Sequence, residues 1–147
     1  MNKRETVQAL VDSIQKGDFE NAETMLAADF QFSGPIPEPL SKEAWLRMSV
    51  SLKTAFPDLD YHFKVIGTDG DVVRTTSQLS GTHSGPFDLT GLNMGVIPAT
   101  GKTFVATREK TRVTVKDNKI TSWVVEPTQG AGVMAILKQL EMEMPAA

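Results

Sequence analysis

The chain has 147 residues and a net charge of −3, with 40% hydrophobic and 22% charged residues, which predicts one folded domain over residues 1–147 and excludes a disordered chain. Its charges are interspersed, which argues against a nucleic-acid partner, and the absence of cysteine excludes disulfides and thiol nucleophiles. Because no apolar run reaches the length of a signal peptide or membrane span, we expect a cytoplasmic protein without a membrane partner.

Three helices are predicted before the first long strand. Gly17 ends the first helix, Asp18 caps the second, and Ser41 caps the third, which Pro57 ends. A short strand at 30–32 lies between the second and the third. Apolar residues recur at the spacing of helical turns, namely Val7, Leu10, Val11 and Ile14; Phe19, Ala22, Met25 and Leu26; and Trp45, Met48, Leu52 and Phe56.

Alternating apolar and polar residues predict strands in the second half of the chain. Residues 59–65 alternate, and a turn at 68–71 joins them to a return strand over 72–83. A strand over 103–116 is predicted to turn tightly at Asp117 and to return through residues 120–126. The sequence therefore contains two hairpins, and adjacent hairpin strands must be antiparallel.

Two further segments complete the chain. Residues 84–102 are rich in glycine and proline but also carry large apolar residues, so we expect them to pack over the domain as a lid or pocket rim. Apolar residues at helical spacing predict a closing helix over 133–140. Helices followed by hairpins predict an α+β fold, a cone-like curved antiparallel sheet wrapped around the N-terminal helices. The open end of such a cone favours a ligand pocket.

The return strand carries the first candidate site residues. Alternation from Val73 places Ser77, Leu79 and His83 on the face that is predicted to point into the cone. Imidazole transfers protons near neutral pH, so His83 is a candidate catalytic residue. The alternative is a strand-end histidine that hydrogen-bonds a backbone carbonyl.

Two carboxylates and two aromatic residues are the remaining candidates. Glu126, next to apolar residues, is a candidate general base with a raised pKa, or a solvated turn residue. Glu109 lines the cavity if its strand face points inward, opposite an outer charge ladder with Arg108 and Arg112. Tyr61 and Trp123 are candidates for the pocket wall, or are core residues, as is expected of Trp45.

Sequence motifs give no support for a metal or a cofactor. Gly95 to Thr103 approximates a phosphate-binding loop, but its glycines have the wrong spacing and a strand follows it instead of a helix. The only histidines are His62 and His83, which are predicted to face opposite ways, so a histidine metal centre is not expected. We expect neither metal nor cofactor.

The order of four short segments resembles the SnoaL-like polyketide cyclase group of the nuclear-transport-factor-2-like superfamily. The resemblance covers residues 56–123 best and the flanking helices by pattern. The segments are Phe56-Pro57-Asp58-Leu59, Ser80-Gly81-Thr82-His83-Ser84-Gly85-Pro86-Phe87, Pro98-Ala99-Thr100-Gly101-Lys102, and Asp117-Asn118-Lys119-Ile120 followed by Trp123.

The resemblance implies a cone-shaped α+β barrel of the cystatin-like kind, commonly a homodimer packed through the outer face of its sheet. It also implies an acid/base aspartate a few residues after the tryptophan of the last strand, and a pocket histidine that His83 matches. The chain departs from that pattern, because Glu126 and Pro127 stand where the aspartate is expected.

Two functional hypotheses follow. In the first, His83 with Glu126 or Glu109 moves a proton next to a carbonyl in a small apolar molecule, so that the protein is a cofactor-independent cyclase or isomerase. In the second, the protein is a non-catalytic dimer that binds such a molecule or another protein. The histidine favours the first hypothesis and the missing aspartate favours the second.

Overall fold

A computed structural model describes residues 2–34, 38–90 and 95–126, which contain three helices and ten strands. The predicted closing helix over 133–140 lies outside these residues. The helices are α1 Lys3–Lys16, α2 Phe19–Thr24 and α3 Lys42–Ala55. The strands are β1 Leu26–Ser33, β2 Leu40–Ser41, β3 Lys64–Asp69, β4 Val72–Ser77, β5 Ser80–Thr82, β6 Phe87–Asp88, β7 Val96–Ile97, β8 Thr103–Val105, β9 Glu109–Lys116 and β10 Lys119–Val125.

Capping groups are seen at the helix ends, and they confirm the predicted roles of Gly17, Asp18 and Ser41. The side chain of Asn2 accepts from the amide of Glu5 at the start of α1, and Gly17 ends the helix in the left-handed conformation. Asp18 caps α2 and Ser41 caps α3, each accepting from an amide three residues later. One detail was wrong: Leu26 begins β1 instead of ending α2, because the α2 cap lies at Met25.

Six strands form one curved sheet in the order β2-β1-β10-β9-β4-β3. Its neighbours are antiparallel except for β1 and β10, which are parallel. The hairpin between β9 and β10 turns through Asp117 and Asn118, both at positive φ, as a two-residue turn requires. The α+β class and the curved, mainly antiparallel sheet are therefore confirmed, with one parallel pair added.

Three of the predicted strands are shortened or divided. The segment 59–63 is not part of β3, and the backbone of His62 has a positive φ of 44°, which interrupts a strand. The predicted strand 72–83 is divided into β4 and β5, and the predicted strand 103–116 into β8 and β9. The two divisions belong together, because β5 and β8 pair with each other in a separate two-stranded sheet.

The apolar residues form two clusters. The main cluster fills the space between α1, Trp45 of α3 and one face of the six-stranded sheet, which we call the inner face. The second cluster joins the end of α3 to the small strands and includes Phe56, Phe87, Leu89 and Phe104. The predicted packing of the 84–102 segment is confirmed for Phe87 and Leu89, which are fully buried.

An added side chain would meet backbone at Gly85 but only another side chain at Gly67. A Cβ at Gly85 would overlap the carbonyl oxygen of Thr54, whereas a Cβ at Gly67 would overlap only the guanidinium of Arg74. Gly85→Ala should therefore lower the free energy of unfolding by about 1–3 kcal/mol. Gly67→Ala should change it by less than about 0.5 kcal/mol, because the arginine can rotate away.

Chemical denaturation of the two variants measures both values. Equal losses of stability would contradict the close approach of residue 85 to the end of α3.

Candidate active site

The inner face changes from apolar to polar along strands β4 and β9. Val73 pairs with Val113 in the main cluster, Thr75 then pairs with Thr111, and Ser77 pairs with Glu109. The two threonine hydroxyls are buried and hydrogen-bond each other. The Ser77 hydroxyl donates to Oε1 of Glu109 at 3.3 Å. Polar groups thus gather at one end of an otherwise apolar surface.

Glu109 is the titratable group at this end. Burial raises the pKa of its carboxyl from 4.5 to about 7, and the hydrogen bond from Ser77 acts in the opposite direction. Desolvation disfavours the charged carboxylate, which is the ordinary cause of such a shift. A carboxyl group with a pKa near 7 is present in both forms at neutral pH, so Glu109 can accept or donate a proton.

Tyr61 lies within range of the charge of Glu109. Burial, and after it the charge of Glu109, raises the pKa of the Tyr61 hydroxyl, which therefore stays protonated and can donate a hydrogen bond. The backbone is held on both sides, because the Tyr61 amide donates to Oε1 of Gln15 and the Tyr61 carbonyl accepts from the amide of Gln78. Its side chain contacts both apolar clusters.

The other two predicted pocket residues flank this group. Trp123, nearly buried, packs against Trp45 and Phe63 with ring centroids 5.9 and 6.0 Å away. Its register with Val113 puts it on the inner face. Leu79 packs against the second cluster. Trp45 is a core residue, as predicted.

His83 lies in the second cluster and is fully buried. Phe56 and Phe87 contact the imidazole ring, with centroids 5.4 and 6.3 Å away. The Thr100 amide donates to Nδ1 at 3.3 Å, and the Thr100 hydroxyl lies 2.9 Å from the same atom. Since an amide can only donate, Nδ1 is an acceptor and the proton of the neutral ring is on Nε2.

The environment of His83 favours this neutral form. Burial lowers the pKa of the imidazole, with the Gly85 backbone acting in the opposite direction. Nε2 is buried and has no hydrogen-bond partner among the described residues. The seen partners of Nδ1 are the amide and the hydroxyl of Thr100, and two aromatic rings pack against the imidazole.

Glu126 lies beyond the end of β10, where its amide donates to the carbonyl of Lys110. Val125 pairs with Thr111 on the inner face. Glu126 itself follows the last residue of β10 and is half-buried, so it stands beyond the paired strands that carry Glu109.

Ser77 hydrogen-bonds Glu109 and Tyr61 lies within range of its charge, whereas His83 packs against the second apolar cluster. The sequence did not single out Thr111 and Thr100. The first becomes visible only from the register of β4 with β9, because residues 36 apart in the chain form the pair. The contact of Thr100 with His83 depends on the path of the 84–102 segment, and the spacing of apolar residues does not predict that path.

The described residues hold no group of three or more histidine, cysteine, aspartate or glutamate side chains that could bind a metal ion. No helix in the same ranges is long and apolar enough to span a membrane. A groove lies between α3 and the segment around β6, and it is lined by Leu40, Ala44, Arg47, Met48, Ser51, Asp88 and Thr90.

Comparison with models of known protein families identifies the family of the chain. The sequence model of the SnoaL-like polyketide cyclases matches residues 4–140. The chain belongs to the SnoaL-like polyketide cyclase family. This SnoaL-like chain has no match among curated proteins.

Solved structures resemble the whole SnoaL-like domain at low sequence identity. A candidate SnoaL-like polyketide cyclase from Jannaschia sp. CCS1 has a TM-score of 0.74 at 19% identity, over 95% of this chain and 92% of that one. IdmH, a candidate polyketide cyclase from Streptomyces antibioticus, has a TM-score of 0.72 at 23% identity, over 96% and 99%. AclR, a candidate hydroxylase from Streptomyces galilaeus, has 0.71 at 16%, over 95% and 80%. At these identities the similarity establishes the fold.

Proposed function

We propose that the protein binds a small, uncharged and largely apolar organic molecule at the polar end of the inner face and acts on it by acid/base chemistry next to a carbonyl. The observation that carries the proposal is Glu109, whose pKa of about 7 suits a general base or acid at neutral pH. Ser77 holds the carboxyl in place and Tyr61 is a neutral donor beside it. No cofactor is required for such a step.

Proton transfer by Glu109 accounts for either isomerisation or cyclisation. The carboxylate removes a proton from the carbon next to the carbonyl, and the Tyr61 hydroxyl donates a hydrogen bond to the enolate oxygen that forms. Return of the proton to a different carbon completes an isomerisation. Attack of the enolate carbon on a second carbonyl of the same molecule forms a ring bond, and the Glu109 carboxyl then protonates the new alkoxide.

The alternative is a binding protein without catalysis. The absence of an aspartate after Trp123 favours it, as does the packing of His83 against the second apolar cluster. Family membership does not decide between the two, because one fold supports many activities, and the structural relatives include candidate cyclases and a candidate hydroxylase.

A hydrogen-exchange experiment separates the two functions. Aromatic and polyketide-like ketones are first screened for binding by thermal shift, and the ligands found are then followed by proton NMR in D2O. Wild-type protein should accelerate exchange of the proton next to the carbonyl. Glu109→Gln should bind the ligands but reduce the exchange rate by about 100-fold or more.

The matched variant is Glu126→Gln, the same chemical change just beyond the end of β10. If Glu126→Gln abolishes exchange and Glu109→Gln does not, the base is Glu126 and the assignment to Glu109 is wrong. Binding without exchange by the wild-type protein would support the non-catalytic alternative. Failure of every ketone to bind would contradict both.

A further inference from the structure

Asp60, His62 and Ser80 lie together outside the six-stranded sheet. Asp60 and His62 precede β3, and Ser80 begins β5, which pairs with β8 in the separate two-stranded sheet. The backbone amides of Asp60 and Ser80 each donate to the carbonyl of the other at 3.0 Å. Nε2 of His62 lies 3.0 Å from Oγ of Ser80, and its Nδ1 lies 3.7 Å from Oδ1 of Asp60. The carboxylate, the imidazole and the hydroxyl therefore stand in the order that a nucleophilic serine requires.

The position of the imidazole proton decides whether His62 can act as a base toward Ser80. The distance of 3.7 Å between Nδ1 and the carboxylate of Asp60 is too long for a hydrogen bond, but the negative charge still favours a proton on Nδ1. In the neutral ring with that proton, Nε2 is an acceptor. The Ser80 hydroxyl then donates to Nε2, which is the direction that proton removal from a serine requires.

The backbone holds the His62 ring in place. The φ angle of His62 is 44°, a conformation that is uncommon for residues other than glycine. The His62 amide donates to Oδ1 of Asp60 at 2.8 Å. The preceding residue is fixed as well, because the Tyr61 amide and carbonyl are bonded to Gln15 and Gln78. Backbone conformations of this kind concentrate at functional sites.

Exposure of the three side chains limits the substrates that they can use. The side chains of His62 and Asp60 are 47% and 48% exposed, and Ser80 is half-buried. A molecule can therefore reach them from solvent. In such an open site water stabilises a developing oxyanion more than fixed donors do, so the electrostatic gain is small. Esters with a good leaving group, such as aryl esters, are the substrates that need this gain least.

We propose that Asp60, His62 and Ser80 form a second site, at which Ser80 is the nucleophile in the hydrolysis of aryl esters. The site uses none of the residues of the candidate active site and removes no proton from carbon. It goes beyond the proposed function and does not depend on it. Asp60 is a positioning residue, because it acts on the imidazole and not on the ester.

The reaction has two steps. Oγ of Ser80 attacks the ester carbonyl carbon while its proton passes to Nε2 of His62, and the tetrahedral intermediate then expels the phenoxide, which takes that proton and leaves as a phenol. The acyl group is now on Ser80. In the second step His62 takes a proton from water as the water attacks the acyl carbon. The carboxylic acid leaves, and the same proton restores the Ser80 hydroxyl.

Hydrolysis of p-nitrophenyl acetate, with mass spectrometry of the digested protein, tests the proposal. The wild type should release p-nitrophenol faster than free imidazole at the same concentration does, and should carry an acetyl group on Ser80. Ser80→Ala and His62→Gln should each lose about 100-fold in rate. Asp60→Asn, which keeps an acceptor for the His62 amide, should lose about tenfold, since its charge acts on the ring only from 3.7 Å. Ser84→Ala, at a nearby exposed serine, is the matched control and should react as the wild type does.

A fluorophosphonate probe gives a second measurement, because it labels activated serines without turnover. It should label Ser80 in the wild type and in Ser84→Ala but not in His62→Gln. Hydrolysis no faster than that by free imidazole would overturn the proposal. So would a wild-type rate in Ser80→Ala together with a loss in His62→Gln, which would make the histidine itself the nucleophile. Equal labelling of Ser80 in wild type and His62→Gln would also contradict it, since the serine would then react without a base.

Discussion

A His83→Ala variant should lose about 2–4 kcal/mol of unfolding free energy at neutral pH, as is usual for truncation of a fully buried large side chain. The imidazole fills space between Phe56 and Phe87, and its Nδ1 accepts from Thr100. Two backbone hydrogen bonds also join His83 to the end of the 84–102 segment. The Gly101 amide donates to the carbonyl of His83, and the His83 amide donates to the carbonyl of Lys102.

The His83 substitution should also loosen one end of the 84–102 segment. Amide hydrogen exchange at Thr100 and Gly101 should accelerate, while exchange at Ile120, whose amide donates to Met25 on the other side of the sheet, should follow global stability alone. His62→Ala is the control, since His62 is exposed, and we expect a loss below about 1 kcal/mol.

The effect of His83→Ala should depend on pH. The pKa of the buried imidazole is lowered, so its stabilising contribution is complete above its ordinary value of 6.5 and is lost as the pH falls through the folded-state value. The difference between wild type and variant should therefore shrink in acid. A constant difference below 1 kcal/mol, with unchanged exchange at Thr100, would contradict the structural role of the histidine.

Replacing Glu109 by glutamine should produce the opposite pH dependence. The pKa of Glu109 is raised from 4.5 to about 7 in the folded protein. The folded state therefore holds this proton more tightly than the unfolded state. The stabilising contribution is complete below pH 4.5 and is lost as the pH rises through 7. Between these limits wild type should lose about 2–3 kcal/mol relative to Glu109→Gln.

Urea denaturation of both proteins at a series of pH values measures that difference. Glu23→Gln, an exposed glutamate of α2, is the control for a generic loss of negative charge, and its curve should run parallel to that of the wild type. Parallel curves for wild type and Glu109→Gln would instead mean that the carboxyl is solvated in the folded protein.

Local signals in the sequence were sufficient to predict the helices and turns. Asp18 and Ser41 were identified as caps because their side chains satisfy helix amides within three residues. The turn at Asp117 and Asn118 was predicted because aspartate and asparagine tolerate positive φ. Such effects act over a few residues and are therefore visible in a single sequence.

The division of the long strands could not be predicted in this way. The alternation of Val73, Thr75 and Ser77 was predicted and is observed, but β4 ends at Ser77 because β5 pairs with β8 in another sheet. That pairing joins residues more than 20 positions apart. As a consequence, His83 belongs to the second cluster and not to the face that carries Ser77.

The register of the strands also determines which charged residues lie on the same face of the sheet. Glu109 and Arg112 were predicted on opposite faces of their strand, and the pairing confirms this. The grouping of Lys64 with Lys110, which pair with Thr76 from its two sides, required knowledge of three neighbouring strands. Charges that are dispersed along the chain thus form one face of the sheet, which a count along the sequence does not reveal.

The most direct test is an NMR titration of the Glu109 side-chain carboxyl carbon, assigned by comparison with Glu109→Gln. The midpoint should be about 7, because burial at the polar end of the inner face raises the pKa of the carboxyl. A midpoint near 4.5, the ordinary value for glutamate, would show a solvated carboxylate and would contradict the assignment of Glu109 as the acid/base group.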